Sequence, residues 1–181
     1  MRYDQLEHAI RAACDISGDT ELLIFGSQSI LGSYPEAPES LRASIEVDVQ
    51  SKNRPEMTEY IDGALGQDSP FHAAHGFYVH GISIDAATLP EGWTGRTIAV
   101  SDPVGTKGHT GLCLEAHDLA ASKLVAYREK DRVFVATLLS EGMIDGQTLL
   151  DRVETLPVTD DVHDRLRRWI EITVADLGDG G

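Results

Sequence analysis

Hydrophobic and polar positions in the first half of the chain switch between helical and strand-like spacing. Leu6, Ile10 and Ala13 recur at helical intervals, which predicts an opening helix. The apolar run "LLIF" stops at Gly26, as a buried strand does, and "IEVDV" alternates strictly between apolar and acidic residues. "PEMTEYIDGAL" is typical of a helix with proline in its first turn, whereas "GFYVHGISID" and "RTIAVSD" are strand-like.

The second half is predicted to be helical. Helical spacing runs through "EAHDLAASKLVAYREK", through "DRVFVATLLSEG" with Asp131 as its cap, and through "DGQTLLDRVETL". A last helix, "TDDVHDRLRRWIEITVADL", has Thr159 or Asp160 as its N-cap, and the tail "DLGDGG" is predicted to be disordered. We therefore expect an α/β (α+β) fold: a small mixed sheet with flanking helices over residues 1–112, and a helical bundle packed against it over residues 113–181.

Composition is that of a soluble globular protein, with 41% hydrophobic and 25% charged residues. No apolar stretch approaches the ~20 residues of a membrane span, and the charged, amphipathic N-terminus lacks the apolar core of a signal peptide. The prediction is a cytoplasmic protein without a membrane partner. Cys14 and Cys113 provide no disulfide framework and are expected to be small buried hydrophobic residues.

The net charge of −15 argues against broad, nonspecific binding of nucleic acid, which requires many lysines and arginines. It does not exclude a local basic site, because the cations are clustered. The two groups are Lys123, Arg128, Lys130 and Arg132, and then Arg165, Arg167 and Arg168. Either group is equally explained as the solvated face of a helix.

The alternating segment "SIEVDVQ" carries the first candidate chemistry. Glu46 and Asp48 share one strand face with Ser44 and Gln50, while Ile45, Val47 and Val49 are expected to point into a core. Carboxylates two positions apart lie roughly 7 Å apart between Cα atoms and repel each other unless a cation lies between them. A hard divalent ion such as Mg²⁺ suits such oxygen ligands. The alternative is an ordinary antiparallel strand whose polar face meets water.

Gly26-Ser27 ends the first buried run, and "SQSILGS" after it can begin a helix. A helix N-terminus presents free N–H groups to anions, glycine permits close approach of a phosphate, and serine adds a hydroxyl. Taken alone, the pair is better explained as a plain turn. Its position, between a buried strand and a second strand with two carboxylates, favours a phosphate-binding role.

This order of strand, Gly-Ser turn, helix and acidic strand resembles the nucleotidyltransferase superfamily of the polymerase β type. The later segment "HDLAASKLVAYREKDRVFVATLLSEGMID" is similar to the AbiEii and MenT group of nucleotidyltransferase toxins of toxin–antitoxin systems. The resemblance covers the chain from about Leu22 to about Leu156. It implies a nucleotidyltransferase-like fold and a magnesium- or manganese-dependent transfer of a nucleotide from a nucleoside triphosphate.

The resemblance also implies roles for individual residues. Gly26 and Ser27 correspond to the phosphate-binding turn, and Glu46 and Asp48 to the metal-binding acidic pair. Lys123 corresponds to a helix lysine that contacts the nucleotide phosphates; its alternative is a surface lysine. Arg128 and Lys130 extend the positive strip, and Ser44 corresponds to a phosphorylation site. Asp145 corresponds to a later catalytic aspartate; its alternative is a helix cap. Asp85 is the candidate for a third metal-binding carboxylate; its alternative is a loop-start residue.

Glu46 departs from the family pattern, where aspartate is usual, although the longer side chain can still bind a metal. The toxin group implies a tRNA 3′ end as acceptor, a pyrimidine nucleotide as donor and a cognate antitoxin as partner. Two alternatives remain open at this point: transfer to a protein or small molecule, and a domain of the same fold that binds nucleotide or a partner without turnover.

Overall fold

The computed structural model describes residues 1–178 of the chain. These residues form two compact units, each with its own internal contacts. The first comprises Met1–Ala87 and Thr97–Glu115, and the second comprises Thr88–Arg96 and the chain from Ala116 onward. Of the tail predicted to be disordered, Asp176–Gly178 belongs to the last helix, and residues 179–181 lie outside the described part.

The first unit contains the sheet and its helices. In chain order its elements are α1 (Tyr3–Ser17), β1 (Glu21–Phe25), α2 (Ile30–Ser33), β2 (Glu46–Ser51), α3 (Thr58–Leu65), α4 (Pro70–His75), β3 (Tyr78–Gly81), β4 (Ile98–Val100) and β5 (Thr110–Cys113). Short 3-10 turns precede α2 at Ser27–Ser29 and α3 at Pro55–Met57. The segments predicted as opening helix, first strand and acidic strand all form, whereas the segment predicted as a proline-started helix is divided into the 3-10 turn Pro55–Met57 and α3.

Within the first unit, the five strands are arranged in the order β3-β2-β1-β5-β4. β1 pairs with β2 antiparallel and with β5 parallel, β2 pairs with β3 parallel, and β4 pairs with β5 antiparallel. The predicted mixed sheet with flanking helices is thereby confirmed. β5 has no counterpart in the prediction, because its short segment "TGLC" begins with a threonine-glycine pair after a glycine-rich loop.

The buried core of the first unit follows the predicted patterns. Leu6, Ile10 and Ala13 of α1 are fully buried, and so are the two cysteines. On β2, buried and partly exposed residues alternate from Glu46 to Ser51, so the acidic residues share the more open face. The prediction for Ile45 was wrong: it precedes the strand and its side chain is 47% exposed.

The second unit contains α5 (Ala116–Ala126), α6 (Glu129–Ser140), α7 (Gly146–Glu154) and α8 (Asp160–Gly178). α5 ends earlier than the pattern predicted, since Tyr127 adopts a left-handed conformation with φ of 53°. The prediction that Asp131 caps α6 was wrong, because Arg128 occupies the N-cap position and Asp131 lies inside the helix, buried.

Residues 88–96 belong to the helical unit, which the sequence did not indicate. Arg96 donates two hydrogen bonds of 2.9 Å to the fully buried carboxylate of Asp118 on α5. Arg152 of α7 lies 3.0 Å from the same carboxylate. Because an isolated buried charge is strongly unfavourable, Asp118 holds both arginines, and with them the 88–96 segment, in place.

Among the described helices, none is long and apolar enough to cross a bilayer.

Candidate functional site

The Gly-Ser turn and the acidic strand meet because β1 and β2 are neighbours. In their antiparallel register Phe25 lies opposite Asp48, so the chain leaves β1 beside that carboxylate. A Cβ placed on Gly26 would lie 2.1 Å from Oδ2 of Asp48, and φ of Gly26 is +69°. Both the backbone conformation and the close approach therefore require glycine at this position.

On the other side of β2, strand β3 adds two polar side chains to the same face. The parallel register places Tyr78 opposite Glu46 and His80 opposite Asp48. Side chains in register on one face of neighbouring strands lie within contact distance. Four polar groups thus converge on a small area of the sheet.

His80 lies between the two carboxylates. Its Nδ1 is 2.9 Å from Oδ1 of Asp48 and 3.0 Å from Oε1 of Glu46. The hydroxyl of Tyr78 donates a hydrogen bond of 2.8 Å to the other oxygen of Glu46, Oε2, and so orients that carboxylate. A proton on Nδ1 would be shared by both carboxylates, and His80 adds a positive charge between them when both of its ring nitrogens are protonated.

The electrostatics of the cluster follow from burial and from this shared proton. Burial raises the pKa of Asp48 to about 6, and the neighbouring Glu46 adds to the shift. Burial works against ionisation of Glu46 as well, but hydrogen bonds from Asp48 and Tyr78 and the charge of His80 bring its pKa below the ordinary value. For His80, burial is outweighed by Asp48 and Glu46, which raise its pKa.

The same three side chains could hold a metal ion. One ligand atom each from Glu46, Asp48 and His80 lies within 4.8 Å of the others. The 2.9 and 3.0 Å separations from Nδ1 to the two oxygens are close to the edge of an octahedron with metal–ligand bonds of ~2.1 Å. A divalent cation would replace the shared proton and relieve the repulsion between the carboxylates.

Asp85, predicted as the third carboxylate, does not join this cluster. It is exposed and lies in a 3-10 turn, Ile84–Ala86, where its backbone N–H is bonded to the hydroxyl of Ser83. His80 occupies the third place instead. The sequence contained a signal for it, since Tyr78 and His80 alternate with buried Val79 on a predicted strand. Whether Tyr78 and His80 lie on the same face as the acidic pair depends on the register between the two strands, and the sequence does not reveal that register.

The segment after Gly26 differs from the long helix that an anion site at a helix N-terminus requires. It consists of the 3-10 turn Ser27–Ser29 and of α2, which has only four residues. A helix dipole therefore contributes little here, and any phosphate contact depends on the backbone N–H groups and the hydroxyl of the turn. The hydroxyl of Ser29 donates to the carbonyl oxygen of Gly26 at 2.9 Å and fixes the turn.

Gln28, beside Ser27, has a buried amide without a hydrogen-bond partner. Its side chain is fully buried, and neither Oε1 nor Nε2 is hydrogen-bonded within the described part of the chain. Leaving such a group unsatisfied costs about 1–3 kcal/mol. Natural proteins keep few groups of this kind, and this one lies in the candidate phosphate turn.

Ser44 lies two residues before the acidic pair and serves the backbone. Its hydroxyl accepts a hydrogen bond of 3.1 Å from the N–H of Glu46, and the residue is partly exposed. This geometry holds the start of β2 in place. Phosphorylation of Ser44 stays a prediction.

In the second unit, Lys123 is a partly buried residue rather than a free surface lysine. Its ammonium group lies 3.5 Å from the buried carboxylate of Asp131 and 4.6 Å from the centre of the Phe134 ring, and its side chain is 12% exposed. Burial lowers its pKa, against the attraction of Asp131. Arg128 is bonded to the same carboxylate at 2.6 Å, whereas Lys130 is exposed.

Asp145 is the N-cap of α7, one of its two predicted roles. Its carboxylate accepts hydrogen bonds from the backbone N–H and the hydroxyl of Thr148, and its own N–H donates to Nε2 of His117. The bond from Thr148 lowers its pKa. The catalytic role implied by the resemblance stays a prediction for both Asp145 and Lys123, which belong to the second unit, whereas Gly26, Glu46 and Asp48 belong to the first.

The chain matches no protein-family model, no curated protein and no solved structure.

Proposed function

We propose that this protein is a metal-dependent nucleotidyltransferase that moves a nucleotide from a nucleoside triphosphate to an RNA 3′ end. The observation that carries the proposal is the convergence of Glu46, Asp48 and His80 beside a glycine turn with no room for a side chain. Metal-binding groups next to a tight, backbone-lined turn are what a triphosphate with its cation requires.

The finer assignments come from the resemblance to nucleotidyltransferase toxins. We propose tRNA as the acceptor, a pyrimidine nucleotide as the preferred donor, and a cognate antitoxin as the regulatory partner. The acceptor hydroxyl would attack the α-phosphorus, the bond to the β-phosphate would break, pyrophosphate would leave, and the hydroxyl proton would pass to water.

Each group of the first unit has a defined task in this scheme. Glu46, Asp48 and His80 would hold the divalent cation, which supplies charge stabilisation at the reacting phosphate. Tyr78 would keep Glu46 oriented through its 2.8 Å hydrogen bond. The N–H groups after Gly26 and the Ser27 hydroxyl would contact the phosphates of the leaving group, as preorganised donors do at sites of developing negative charge.

A second candidate function is nucleotide binding without turnover. It is favoured by the contacts of Lys123 and Asp145, whose side chains are engaged in an ion pair and in a helix cap. A residue that stabilises its own helices need not take part in chemistry. This candidate keeps the metal and the triphosphate but has no acceptor.

The test is incubation with each labelled nucleoside triphosphate, Mg²⁺ or Mn²⁺, and total RNA. Wild-type protein is expected to label tRNA, and the Asp48→Asn and His80→Ala variants are expected to lose the activity at least a hundredfold. Asp85→Asn is the matched control, because it removes an exposed carboxylate outside the cluster. Label on protein in place of RNA contradicts the proposed acceptor, and nucleotide binding without any transfer favours the second candidate.

A further inference from the structure

Two grooves in the helical unit share Trp169 in their lining. The first has a volume of about 390 Å³ and is lined by Tyr127, Asp164, Arg165, Arg168, Trp169 and Ile172. The second has a volume of about 230 Å³ and includes Glu129, Arg132, Val133 and Trp169 in its lining. Trp169 is half-buried, so one part of the indole is fixed by packing while another part remains available to a ligand.

Arginine and aromatic side chains are interleaved in this region. The guanidinium group of Arg132 lies 4.9 Å from the centre of the Tyr127 ring, and that of Arg165 lies 4.5 Å from it. Stacking of this kind holds a guanidinium group in a defined position while leaving its N–H edge free for an anion. The Nε of Arg132 is buried and has no hydrogen-bond partner among residues 1–178.

The charge of the lining is positive although the chain is strongly acidic. Arg132, Arg165 and Arg168 are opposed by Asp164 and Glu129. Asp164 is itself bonded at 2.7 Å to Arg167, on the same helix but outside the grooves, which reduces its effect. In a protein of net charge −15, a site of this sign is one that a polyanion can approach.

Apolar area adjoins these charges. Val133 is 60% exposed and Ile172 is 51% exposed, one in the lining of each groove. A surface with cations for phosphates, an indole for stacking and apolar edges fits unpaired nucleotides, whose bases and phosphates alternate along the strand. A duplex fits less well, because its bases are stacked on one another and inaccessible.

We propose that the two grooves around Trp169 bind a single-stranded RNA segment, with a base stacked on the indole and phosphates paired with Arg165, Arg168 and Arg132. RNA is chosen over DNA because the inference rests on the proposed function, whose acceptor is an RNA end. The positive charge of the groove lining, in a chain of net charge −15, favours this surface for RNA. Tyr127, whose left-handed conformation is unusual for an aromatic residue, lies between α5 and α6, and its ring contacts Arg132 of α6 and Arg165 of α8.

The experiment measures binding to a labelled single-stranded RNA of about ten nucleotides, a length within the range of single-strand binding sites. Fluorescence anisotropy follows binding, and quenching of tryptophan emission reports stacking. The assay contains neither nucleotide nor metal. The Arg165→Ala/Arg168→Ala variant is expected to weaken binding at least tenfold. The slope of log affinity against log salt concentration is expected to fall by the amount that corresponds to about two phosphate contacts. Trp169→Ala is expected to weaken binding about tenfold and to abolish the quenching, whereas Trp169→Phe keeps most of the affinity.

Arg167→Ala is the comparison variant, because it removes the same charge from the same helix although Arg167 itself is not in the groove lining. It leaves the groove residue Asp164 without its partner Arg167, so it is expected to weaken RNA binding less than threefold, well below the effect of the double arginine variant. Unfolding curves accompany every variant, and Trp169→Phe covers the case in which Trp169→Ala does not fold. Unchanged affinity of the double arginine variant overturns the proposal. So does tighter binding of a single-stranded DNA or of an acidic peptide than of the RNA.

Failure of this proposal and failure of the proposed function are separable. Asp48→Asn, which removes a metal ligand in the first unit, is expected to bind RNA as tightly as wild type. If the double arginine variant transfers nucleotides to RNA at the wild-type rate, the proposal that the grooves bind RNA is wrong, and the catalytic proposal is unaffected. If the wild-type protein binds RNA but transfers no nucleotide to any acceptor, the catalytic proposal is contradicted, and the proposal that the grooves bind RNA is unaffected.

Discussion

Gly26 and Asp48 are in direct contact: a Cβ on Gly26 would meet Oδ2 of Asp48 at 2.1 Å and its carboxyl carbon at 3.1 Å. The turn after β1 is therefore pressed against the carboxylate that β2 presents. Oδ1 of the same carboxylate faces His80. One side chain thus links the glycine turn to the cluster of candidate metal ligands.

Gly26→Ala is expected to displace the Asp48 carboxylate and to weaken binding of Mn²⁺ or Mg²⁺ at least tenfold. Gly76→Ala is the matched control, because Gly76 also has positive φ, +71°, but nothing lies within 4 Å of its Cβ position. Both variants are expected to lose about 1 kcal/mol or more of stability from the left-handed backbone. Isothermal titration with each metal, beside urea unfolding, separates the two effects. Equal metal affinity in the two variants contradicts the assigned contact.

The histidine in the cluster predicts a metal preference. Imidazole nitrogen is a better ligand for Mn²⁺ than for Mg²⁺, which prefers oxygen. We expect wild-type protein to bind Mn²⁺ at least tenfold more tightly than Mg²⁺. His80→Asp is expected to narrow or reverse that ratio, since it restores an all-carboxylate site. Titration of both metals into both proteins measures the ratio, and the same preference in both proteins excludes His80 as a ligand.

Gln28 predicts opposite effects on stability and on ligand binding. Gln28→Met replaces an unsatisfied buried amide by an apolar side chain of similar length, so the free energy of unfolding is expected to rise by about 1 kcal/mol. Affinity for a nucleoside triphosphate, measured by equilibrium dialysis, is expected to fall at least fivefold. If Gln28→Met is more stable but binds the nucleoside triphosphate with unchanged affinity, the amide of Gln28 has no role in binding.

Lys123 and Arg128 both bind Asp131 but differ in exposure, at 12% and 61% of their side chains. Lys123→Met is expected to lower the free energy of unfolding by about 1–3 kcal/mol, because it removes a buried partner of a buried carboxylate. Arg128→Met, the exposed counterpart, is expected to cost less than about 1 kcal/mol. If Lys123→Met keeps full stability and loses transfer activity, the lysine serves the phosphates rather than Asp131.

The buried carboxylate of Asp19 predicts a dependence of stability on pH. Burial alone would raise its pKa, but hydrogen bonds from Asn53 and Ser51 outweigh burial and hold it well below the ordinary value of 3.8. The folded state therefore binds this proton less readily than the unfolded state does. Its stabilisation is present above about pH 4 and is lost as the pH falls below that value toward the folded-state pKa.

Asp19→Asn removes that titration. Urea unfolding at pH 6 is expected to show a loss of about 2–3 kcal/mol in the variant, the worth of hydrogen bonds to a charged group. The difference between variant and wild type is expected to shrink as the pH is lowered from 4 to 3. A difference that stays constant over this range shows that the carboxylate does not titrate with a lowered pKa.

The sequence predicted those parts of the site that are local in the chain. Strict alternation defined β2 and the shared face of Glu46 and Asp48, and a short apolar run ending in glycine defined β1. The contribution of His80 depends on a parallel register between strands 32 residues apart, and alternation along one strand contains no information about its partner. Asp85 was predicted instead because a carboxylate was expected, although it lies in an exposed turn.

Similar reasons apply to the second unit. Helical periodicity located α5 to α8, but it overran the end of α5, because the left-handed Tyr127 is neither glycine nor proline and leaves no sequence signal. Asp131 was assigned to a cap because aspartate is common there. The structure instead buries it between two cations, Lys123 and Arg128, a contact that depends on how α5 and α6 pack.

The parallel pairing of β2 with β3 gives the candidate metal site a second physical meaning. Asp48 and His80 are 32 residues apart along the chain, and α3 and α4 lie between their strands. A cation coordinated by both residues would be a reversible cross-link that closes this stretch into a loop, as a disulfide does by a covalent bond. The ion proposed to bind the triphosphate would then also restrain the crossover of the sheet, and its removal by a chelator would loosen the register that brings the ligands together.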